Sequence, residues 1–200
     1  MSVYLVRHTA PDIIKGTCYG QSDINVTATF YDEAAIIKQV VPATVSHVYS
    51  SPLIRCSKLA AHLYPNHPII LENDLMEIHC GQWEMQLWDD IPKEEIDPWM
   101  QDFVQVRIPG GESYIDLHTR VNNCFNRITA GNDNIAIVAH GGVIRSILAD
   151  ITQTALADSF KAFSLHYGCV IKIDRHKEGH IHTVLSNIEA GKEQHKPRRV

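Results

Sequence analysis

The chain has 200 residues, 44% of them hydrophobic and 20% charged, and its formal net charge is −5 at pH 7. This length allows one domain that buries its core without disulfides or metal, and the composition is typical of a soluble globular protein. The acidic balance and the lack of a broad basic face argue against a nucleic-acid partner. No apolar run reaches the length of a membrane-spanning helix and no basic leader precedes the first strand, so we expect no membrane association.

The cysteines and the end of the chain predict where the protein works and where its domain ends. Five cysteines are scattered along the sequence, and none forms a C-x-x-C pair. This usage is typical of a reduced, cytoplasmic protein in which cysteines serve as small apolar residues. We expect residues 1–190 to form one domain and residues 191–200 to form a polar tail, in which the basic cluster Lys196-Pro197-Arg198-Arg199 is a frayed end rather than a binding arm.

Six segments have the composition of buried strands. They are, in chain order, Val3–Val6, Val45–Ser50, Ile69–Leu71, Ile135–Ala139, Val170–Asp174 and His180–Leu185. Arg175–Gly179 predicts a hairpin turn between the last two strands. Helical patterns lie between the earlier strands, and this alternation predicts a mostly parallel sheet covered by helices on both faces, a three-layer α/β/α sandwich.

The sequence predicts the N-termini of two helices. Apolar residues from Leu117 to Ile128 recur at three- and four-residue spacing, which predicts an amphipathic helix. Ser113 precedes this helix and Asp116 follows three residues later, a pattern that predicts an N-terminal cap. Ser51-Pro52 predicts a second start, with the serine as cap and the proline at the first helical position.

Residues 83–112 differ from the rest of the chain. They contain all three tryptophans, two acid-rich patches and three prolines. One interpretation is a small helical cap that covers a pocket and contacts the substrate. The other is a peripheral helix whose aromatic side chains pack on the core.

Three predicted strands run into an arginine or a histidine. Arg7 and His8 follow the first strand, Arg55 follows the second, and His140 with Gly141 follows the fourth. In open α/β sheets, ligands bind outside the carboxyl ends of the strands. These residues therefore predict one cationic site with two imidazoles, suited to an anion that is both held and chemically attacked.

A small phosphomonoester fits this set of side chains. The guanidinium groups of Arg7 and Arg55 match phosphate geometry, and they favour the neutral, nucleophilic form of a neighbouring imidazole. One histidine is then phosphorylated and regenerated by water, while the other and the helix N-terminus at Gly141 stabilise the transition state. Glu77 is the candidate acid for the leaving oxygen. The residues alone do not decide which histidine attacks.

Five segments, in this order, resemble the motifs of the histidine phosphatase superfamily, which has the phosphoglycerate-mutase-like fold. They are Leu5-Val6-Arg7-His8-Thr9, Ser50-Ser51-Pro52-Leu53-Ile54-Arg55, Glu77-Ile78-His79-Cys80-Gly81-Gln82-Trp83-Glu84, Pro109-Gly110-Gly111-Glu112-Ser113 and Ala139-His140-Gly141-Gly142-Val143-Ile144-Arg145. The resemblance implies that His8 is the phosphorylated nucleophile and that Glu77 is the proton donor. It also implies a phosphate pocket of Arg7, Arg55 and His140, with no metal or organic cofactor.

The loop Gly16–Asp23 resembles one branch of that superfamily. Its sequence Gly-Thr-Cys-Tyr-Gly-Gln-Ser-Asp is similar to the G-x-C-Y-G-x-x-D stretch of α-ribazole-5′-phosphate phosphatases, which implies a role in cobalamin nucleotide-loop assembly. The chain departs from the wider pattern R-H-G-(E/Q)-T-x-x-N, whose Asn is replaced by Ile14. We predict that Tyr19 or Gln21 takes over the phosphate contact of that Asn. A plain turn at these residues is the competing interpretation.

Other functions stay open at this point. A phosphoglycerate mutase is the nearest, but Ile78 stands where a second anionic group favours an arginine, and the chain is short for the mutase insertions. A broad-specificity small-molecule phosphatase needs the same catalytic residues. A non-catalytic module that binds phospholigands would keep the fold and lack turnover.

The last two strands raise two further possibilities. His176, His180 and His182 flank the predicted turn and offer a metal site, but no cysteine or carboxylate joins them at a ligand spacing. We therefore favour an exposed polar hairpin and expect no metal. The oligomeric state is open, since an exposed edge after the last strand allows a homodimer without requiring one.

Overall fold

The structure, a computed structural model, describes residues 1–131, 133–176 and 179–187. Within these ranges the strands are β1 (Ser2–Arg7), β2 (His47–Ser50), β3 (Ile69–Leu71), β4 (Ile135–Ala139), β5 (Val170–His176) and β6 (Gly179–Ser186). The α-helices are α1 (Phe30–Lys38), α2 (Ile54–Leu63), α3 (Lys93–Gln101), α4 (Tyr114–Ile128), α5 (Gly141–Thr152) and α6 (Ser159–Ala162). All the predicted strands are confirmed. The predicted tail and residues 177 and 178 of the predicted turn lie outside the described residues.

The strands form one sheet in the order β3-β2-β4-β1-β5-β6. Strands β1 to β4 run parallel, β5 pairs antiparallel with β1, and β6 pairs antiparallel with β5. This confirms the mostly parallel sheet. The order also places β2, β4 and β1 side by side, so that their carboxyl ends lie together at one edge of the sheet.

The core has two halves, one on each face of the sheet. Every residue of β4 is buried, as a central parallel strand between two helical layers requires. Ile135 and Ile137 pack with α4 and α5, whereas Ala136 and Val138 pack with α1 and α2. Successive residues of a strand point to opposite faces, so a single apolar run supplies both halves of the core. The three-layer α/β/α sandwich is thereby confirmed.

The predicted start of α4 is confirmed in detail. The Ser113 hydroxyl accepts the Asp116 N–H at 3.4 Å, and the Ser113 N–H donates to the Asp116 carboxylate at 2.9 Å. This reciprocal capping box satisfies two amide groups that the helix itself leaves without partners.

The predicted start of α2 is wrong by two residues. Leu53, with an extended backbone, precedes the helix, and the Ile54 N–H donates to Asp23 Oδ1 at 2.7 Å. The cap of α2 therefore comes from Asp23, which lies elsewhere in the chain, and Ser51 is not the N-cap that the sequence predicted. Ser51 lies instead in the candidate site described below.

Residues 83–112 carry a small apolar cluster of their own, built around α3. Trp83 is buried, and its indole N–H donates to the Glu95 carboxylate at 2.8 Å. The ring of Trp99 lies edge-on to Trp83, with centroids 5.7 Å apart, and stacks on Trp88 at 5.9 Å. The segment thus combines features of both interpretations, because Trp83 packs inward while Trp88 and Trp99 line the cavity described below.

In the part of the chain that is described, no helix has the length and apolar character needed to cross a bilayer.

Candidate active site

The carboxyl ends of β1, β2 and β4 bring the predicted residues together. Arg7 is the last residue of β1, and the His8 N–H donates to the Ala139 carbonyl at 3.0 Å. On the other side of β4, the Ser51 N–H donates to the Val138 carbonyl at 3.0 Å. The rings of His8 and His140 meet edge to face, with centroids 5.1 Å apart. Parallel pairing therefore places two histidines in contact although they are far apart in the sequence.

The His8 ring is held in one tautomer. Nδ1 lies 2.7 Å from the Thr9 backbone carbonyl, which can only accept, so Nδ1 carries the proton. In a neutral imidazole the other nitrogen, Nε2, then carries the lone pair. His8 is only 2% exposed and lies in the cavity wall, packed between His140 and Tyr167. A nucleophilic nitrogen in a fixed orientation is what attack on phosphorus requires.

His140 is completely buried beside His8. Its Nε2 forms a 2.8 Å hydrogen bond with the Ser51 hydroxyl, and the Cys56 thiol lies 3.5 Å away. Burial, followed by the positive charge of Arg55 and the presence of His8 and Arg7, holds the pKa of His140 well below its usual value of 6.5. The neutral form of His140 is therefore favoured.

The two arginines differ in exposure and in partners. Arg7 donates to the Leu165 carbonyl at 2.6 Å, and its guanidinium lies 4.0 Å from the Tyr167 ring centroid. Arg55 is fully buried and donates to the Ser22 and Gly20 carbonyls at 2.8 and 2.6 Å. Its Nε has no hydrogen-bond partner among the described residues. Arg7 is part of the cavity wall, whereas Arg55 lies behind that wall and anchors the loop in front of it.

Glu77 is fixed against the start of α5. One carboxylate oxygen accepts the Gly142 N–H at 3.0 Å, and the other accepts the Ile78 N–H at 2.9 Å. A β-carbon at Gly142 would lie 2.2 Å from Glu77 Oε1, so the close approach depends on a glycine at this position. At Gly141, a β-carbon would lie 3.3 Å from Arg7 Nε. The two glycines let the helix start approach both charged groups.

The loop Gly16–Asp23 is held in place by Glu84. Its carboxylate accepts the N–H groups of Gly20, Gln21 and Ser22 at 3.0, 2.8 and 3.2 Å, and the Ser22 hydroxyl at 2.6 Å. Burial opposes ionisation of Glu84, but these hydrogen bonds prevail and lower its pKa below the ordinary value. A β-carbon at Gly20 would lie 1.8 Å from the Ile78 carbonyl. The loop is therefore part of the site and not a peripheral turn.

Arg120, on α4, fixes the segment that carries Glu77. Its guanidinium donates to the backbone carbonyls of Asp74, Met76 and Glu77 at 2.8 to 2.9 Å. It also forms a two-point ion pair with Glu112, at 2.7 and 2.9 Å. Burial raises the pKa of Glu112, but the hydrogen bonds from Arg120 and the His79 N–H outweigh it and keep that pKa below the ordinary value.

A cavity of about 290 Å³ opens over these residues. At its base are Arg7, His8, Glu77 and the two glycines at the start of α5. Tyr167 lies beside Arg7 and His8 at this base, and further aromatic side chains form much of the remaining wall: Trp88, Trp99, Phe103, Tyr114, Phe160 and Phe163. The cavity thus joins a cationic region that suits phosphate to a mostly aromatic region that suits a flat organic group. Among the described residues, no three His, Cys, Asp or Glu side chains are grouped so that they could hold a metal ion.

Comparison with known proteins supports the same interpretation. Residues 3–188 match the profile of the histidine phosphatase superfamily (branch 1). The chain belongs to the histidine phosphatase superfamily.

Individual members of the superfamily resemble the chain over most of its length. An adenosylcobalamin/α-ribazole phosphatase from Escherichia coli (strain K12) is 26% identical over 188 residues, covering 87% of this chain and 90% of the relative. A protein named "Probable phosphoglycerate mutase GpmB" from Photorhabdus laumondii is 30% identical over 163 residues, covering 76% and 74% of the two chains. The crystal structure of an α-ribazole phosphatase from Shigella flexneri superposes with a TM-score of 0.84 at 25% identity, covering 92% of this chain and 96% of that one.

The phosphoglycerate-mutase-like fold is confirmed by these matches, and the protein is a phosphatase of this superfamily. Of the eight site residues that the sequence analysis named, Arg7, His8, Tyr19, Glu77 and Gly141 lie in the cavity wall. Arg55 and His140 lie directly behind it. The Tyr19 hydroxyl is 2.6 Å from that of Tyr167, within the cavity.

Gln21 has a different position from the one predicted for a phosphate contact. Its side-chain amide donates to the Glu77 backbone carbonyl at 3.0 Å, and the residue is not part of the cavity wall. In this histidine phosphatase Gln21 therefore positions the segment of the candidate acid. Ile14, at the place of the family's Asn, is 76% exposed and is not part of the cavity wall.

Several residues of the site escaped the sequence analysis. Arg120 lies on the polar face of an amphipathic helix, where an arginine normally indicates only solvent exposure. Tyr167 follows no strand and belongs to no motif. Glu84 was visible as the last residue of the motif that begins at Glu77, but nothing in the sequence alone says that it binds the loop at residues 20–22.

Proposed function

We propose that the protein hydrolyses α-ribazole 5′-phosphate through a phosphohistidine at His8, in the assembly of the cobalamin nucleotide loop. The observation that carries the proposal is the cavity, which joins a base of Arg7, His8 and Glu77 to an aromatic wall. α-Ribazole 5′-phosphate has the matching two halves, a phosphate monoester and a flat benzimidazole ring. The resemblance to α-ribazole phosphatases supports this choice of substrate over other phosphomonoesters.

The first half-reaction transfers the phosphoryl group to the enzyme. Arg7 holds the phosphate oxygens, Arg55 contributes its positive charge from behind the cavity wall, and the start of α5 contributes its positive end. Nε2 of His8 attacks phosphorus in line as the bond to the ribose oxygen breaks. Glu77, 3.0 Å from the Gly142 N–H, gives its proton to that oxygen, so that the leaving group departs as a neutral alcohol.

The second half-reaction restores the enzyme. A water molecule gives a proton to the Glu77 carboxylate and attacks the phosphorus of phospho-His8, which releases inorganic phosphate and the neutral imidazole. Burial, followed by the charge of Arg55, holds the pKa of His140 low, so His140 acts in its neutral form. Together with the start of α5, it stabilises the charge on the transferring group in both steps.

A mutase activity is the nearest alternative. Such an enzyme holds a second anionic group beside the acid, whereas Ile78, an apolar residue, is in the cavity wall at this position. Hydrolysis with water as the acceptor suits this wall better. A broad-specificity phosphatase and a module that binds without turnover are distinguished from the proposal only by experiment. The buried, reduced cysteines also support our expectation that the reaction takes place in the cytoplasm.

The deciding experiment compares hydrolysis of α-ribazole 5′-phosphate, 3-phosphoglycerate and p-nitrophenyl phosphate, with His8→Ala as the control. We expect the highest kcat/KM for α-ribazole 5′-phosphate and no turnover by His8→Ala. Release of phosphate from p-nitrophenyl phosphate alone would retain the mechanism and refute the substrate. Conversion of 3-phosphoglycerate to its isomer would establish a mutase, and no turnover of any ester would favour the binding module.

The role of Glu77 has its own test in the leaving group. Glu77→Gln should slow the transfer most for α-ribazole 5′-phosphate, whose alkoxide needs a proton, and least for p-nitrophenyl phosphate, whose phenolate leaves without one. Equal losses on the two esters would contradict the assignment of Glu77 as the acid.

A further inference from the structure

A second arginine lines the cavity, one helical turn beyond the glycines at the start of α5. Arg145, on α5 one turn after Gly141, is only 8% exposed and belongs to the cavity wall. Phe160 covers one face of its guanidinium at 4.0 Å, and Tyr114 packs against Phe160. Burying a guanidinium costs free energy unless a partner compensates its charge, so a buried Arg145 is expected to have such a partner.

The protein itself provides few partners for this charge. No carboxylate of the described residues forms an ion pair with Arg145, and its Nε has no hydrogen-bond partner there. Its two contacts, to the carbonyls of Gly141 and Phe163, are 3.4 and 3.5 Å long. By comparison, Arg7 and Arg55 make bonds of 2.6 Å in the same region. Hydrogen bonds weaken steeply at such lengths, so a purely structural role accounts poorly for Arg145.

Two polar atoms near Arg145 are also buried without a strong hydrogen bond to the protein. The Trp99 indole nitrogen is buried in the cavity wall and has no hydrogen-bond partner within the described ranges. The Tyr114 hydroxyl is buried there too and faces Arg145, Ser146 and Ser159, but it forms no hydrogen bond of good geometry with a described residue. Phe103 links the two, with ring centroids 6.3 Å from Trp99 and 5.6 Å from Tyr114. An indole nitrogen and a guanidinium can only donate, and a phenol can also donate. The described part of the wall therefore offers Arg145 only two long carbonyl contacts and the Tyr114 hydroxyl, and an acceptor on a bound ligand would complete its hydrogen bonding.

We propose that Arg145 is the specificity-determining residue of a leaving-group subsite, where it donates to a hydrogen-bond acceptor carried on the edge of a planar ring. Phe160 and Phe103 contact the face of the ring, while Arg145 and Tyr114 recognise the acceptor. The proposal rests on phosphomonoester binding in this cavity but does not depend on α-ribazole as the substrate. It predicts that the enzyme prefers aryl phosphates with an acceptor, most strongly an anionic one, over unsubstituted aryl phosphates.

The test uses matched esters that differ in one acceptor: phenyl phosphate against 3- and 4-carboxyphenyl phosphate. Dissociation constants are measured by calorimetry on His8→Ala, which cannot turn the esters over, and kcat/KM is measured on the active enzyme. Because a charge-assisted hydrogen bond is among the strong ones, one of the carboxyphenyl esters should bind roughly tenfold or more tightly than phenyl phosphate. Comparing the ratio within each variant cancels any loss of folded protein.

The variants decide whether Arg145 causes the preference. Arg145→Met should bring the ratio of affinities close to one, and Arg145→Lys should give an intermediate ratio, because lysine keeps the charge but not the planar set of donors. Arg127→Met, which removes an exposed arginine of α4 paired with Glu72, should retain the ratio of the parent protein. If Arg145→Met does not fold, the Arg145→Lys ratio and the parent ratio still decide the question.

Two results would overturn the inference. The first is equal affinity of the parent for all three esters, and the second is an acceptor preference that survives both Arg145 substitutions. Failure of α-ribazole 5′-phosphate as a substrate, with the acceptor preference intact, would refute the proposed function and retain the role of Arg145. The two proposals can therefore fail separately.

Discussion

Replacing Gly142 with alanine should disable the acid without unfolding the protein. The new β-carbon would lie 2.2 Å from Glu77 Oε1 and 3.1 Å from Leu117 Cδ2. The first separation is roughly 1 Å shorter than ordinary van der Waals contact. Both side chains border the cavity, but Leu117 is fully buried in the packed core and the Glu77 carboxylate is by far the closer of the two, so the carboxylate is the group that moves.

The expected effects on activity and on stability have different sizes. A displacement of 1 Å in a catalytic group costs about 10²-fold, and loss of a general acid costs about 10²- to 10⁴-fold. We therefore expect a loss of about 10²-fold in kcat for α-ribazole 5′-phosphate, equivalent to about 2.7 kcal/mol. Stability should change by no more than about 1 kcal/mol, because the hydrogen bonds lost at Glu77 are offset by the better helix propensity of alanine.

The assay is steady-state hydrolysis of two esters with different leaving groups. The loss caused by Gly142→Ala should be large for α-ribazole 5′-phosphate and less than about tenfold for p-nitrophenyl phosphate, whose phenolate needs little protonation. Gly131→Ala is the matched control, because its β-carbon would meet only Asp133 Oδ2, at 3.4 Å. Urea denaturation of both variants measures the change in stability.

Two outcomes would refute this reasoning. Equal losses on both esters would mean that Gly142 protects the phosphate end of the site and not the position of the acid. Full activity of Gly142→Ala on α-ribazole 5′-phosphate would mean that Glu77 donates its proton from a position other than the one it has here.

Three further predictions concern the supporting residues. Arg120→Met should lower the free energy of unfolding by about 3 kcal/mol, because it breaks a mostly buried ion pair with Glu112; urea denaturation measures this. Glu84→Gln should raise KM about tenfold and lower kcat less, because the loop that accepts from Arg55 loses its charged anchor; initial rates measure both constants. The free energy of unfolding should fall as pH drops below 6.5, the ordinary pKa of histidine, because the unfolded chain then binds a proton that buried His140 does not. In denaturation series at several pH values, His140→Asn should reduce the dependence of this free energy on pH by up to about 1.4 kcal/mol per pH unit.

Each of these predictions has its own contradicting result. Arg127→Met is the control for the first, and an equal loss of stability in both variants would show that Arg120 acts as an ordinary surface residue. A fall in kcat with unchanged KM would contradict the role given to Glu84. An unchanged slope below pH 6.5 in His140→Asn would mean that His140 is already protonated in the folded protein.

The sequence alone predicted the fold and most of the candidate catalytic residues. Each strand end that carries Arg7, Arg55 or His140 was recognisable, because a buried strand is a continuous apolar run and its polar successor stands out. The inference that these residues meet needed only the rule that parallel strands present their carboxyl ends at one edge. The capping box of Ser113 and Asp116 was equally readable, since both partners lie within one turn.

Only the tertiary structure decided how these residues are supported and oriented. The cap of α2 comes from Asp23, the loop at Gly20 is bound by Glu84, and Gln21 holds the backbone of Glu77. The partners are separated by 31, 64 and 56 residues, and each contact ends on a backbone amide or carbonyl, which every residue possesses. Such contacts leave no mark in residue identity, so they become visible only when the packed sheet and its loops bring the backbone groups within hydrogen-bond distance.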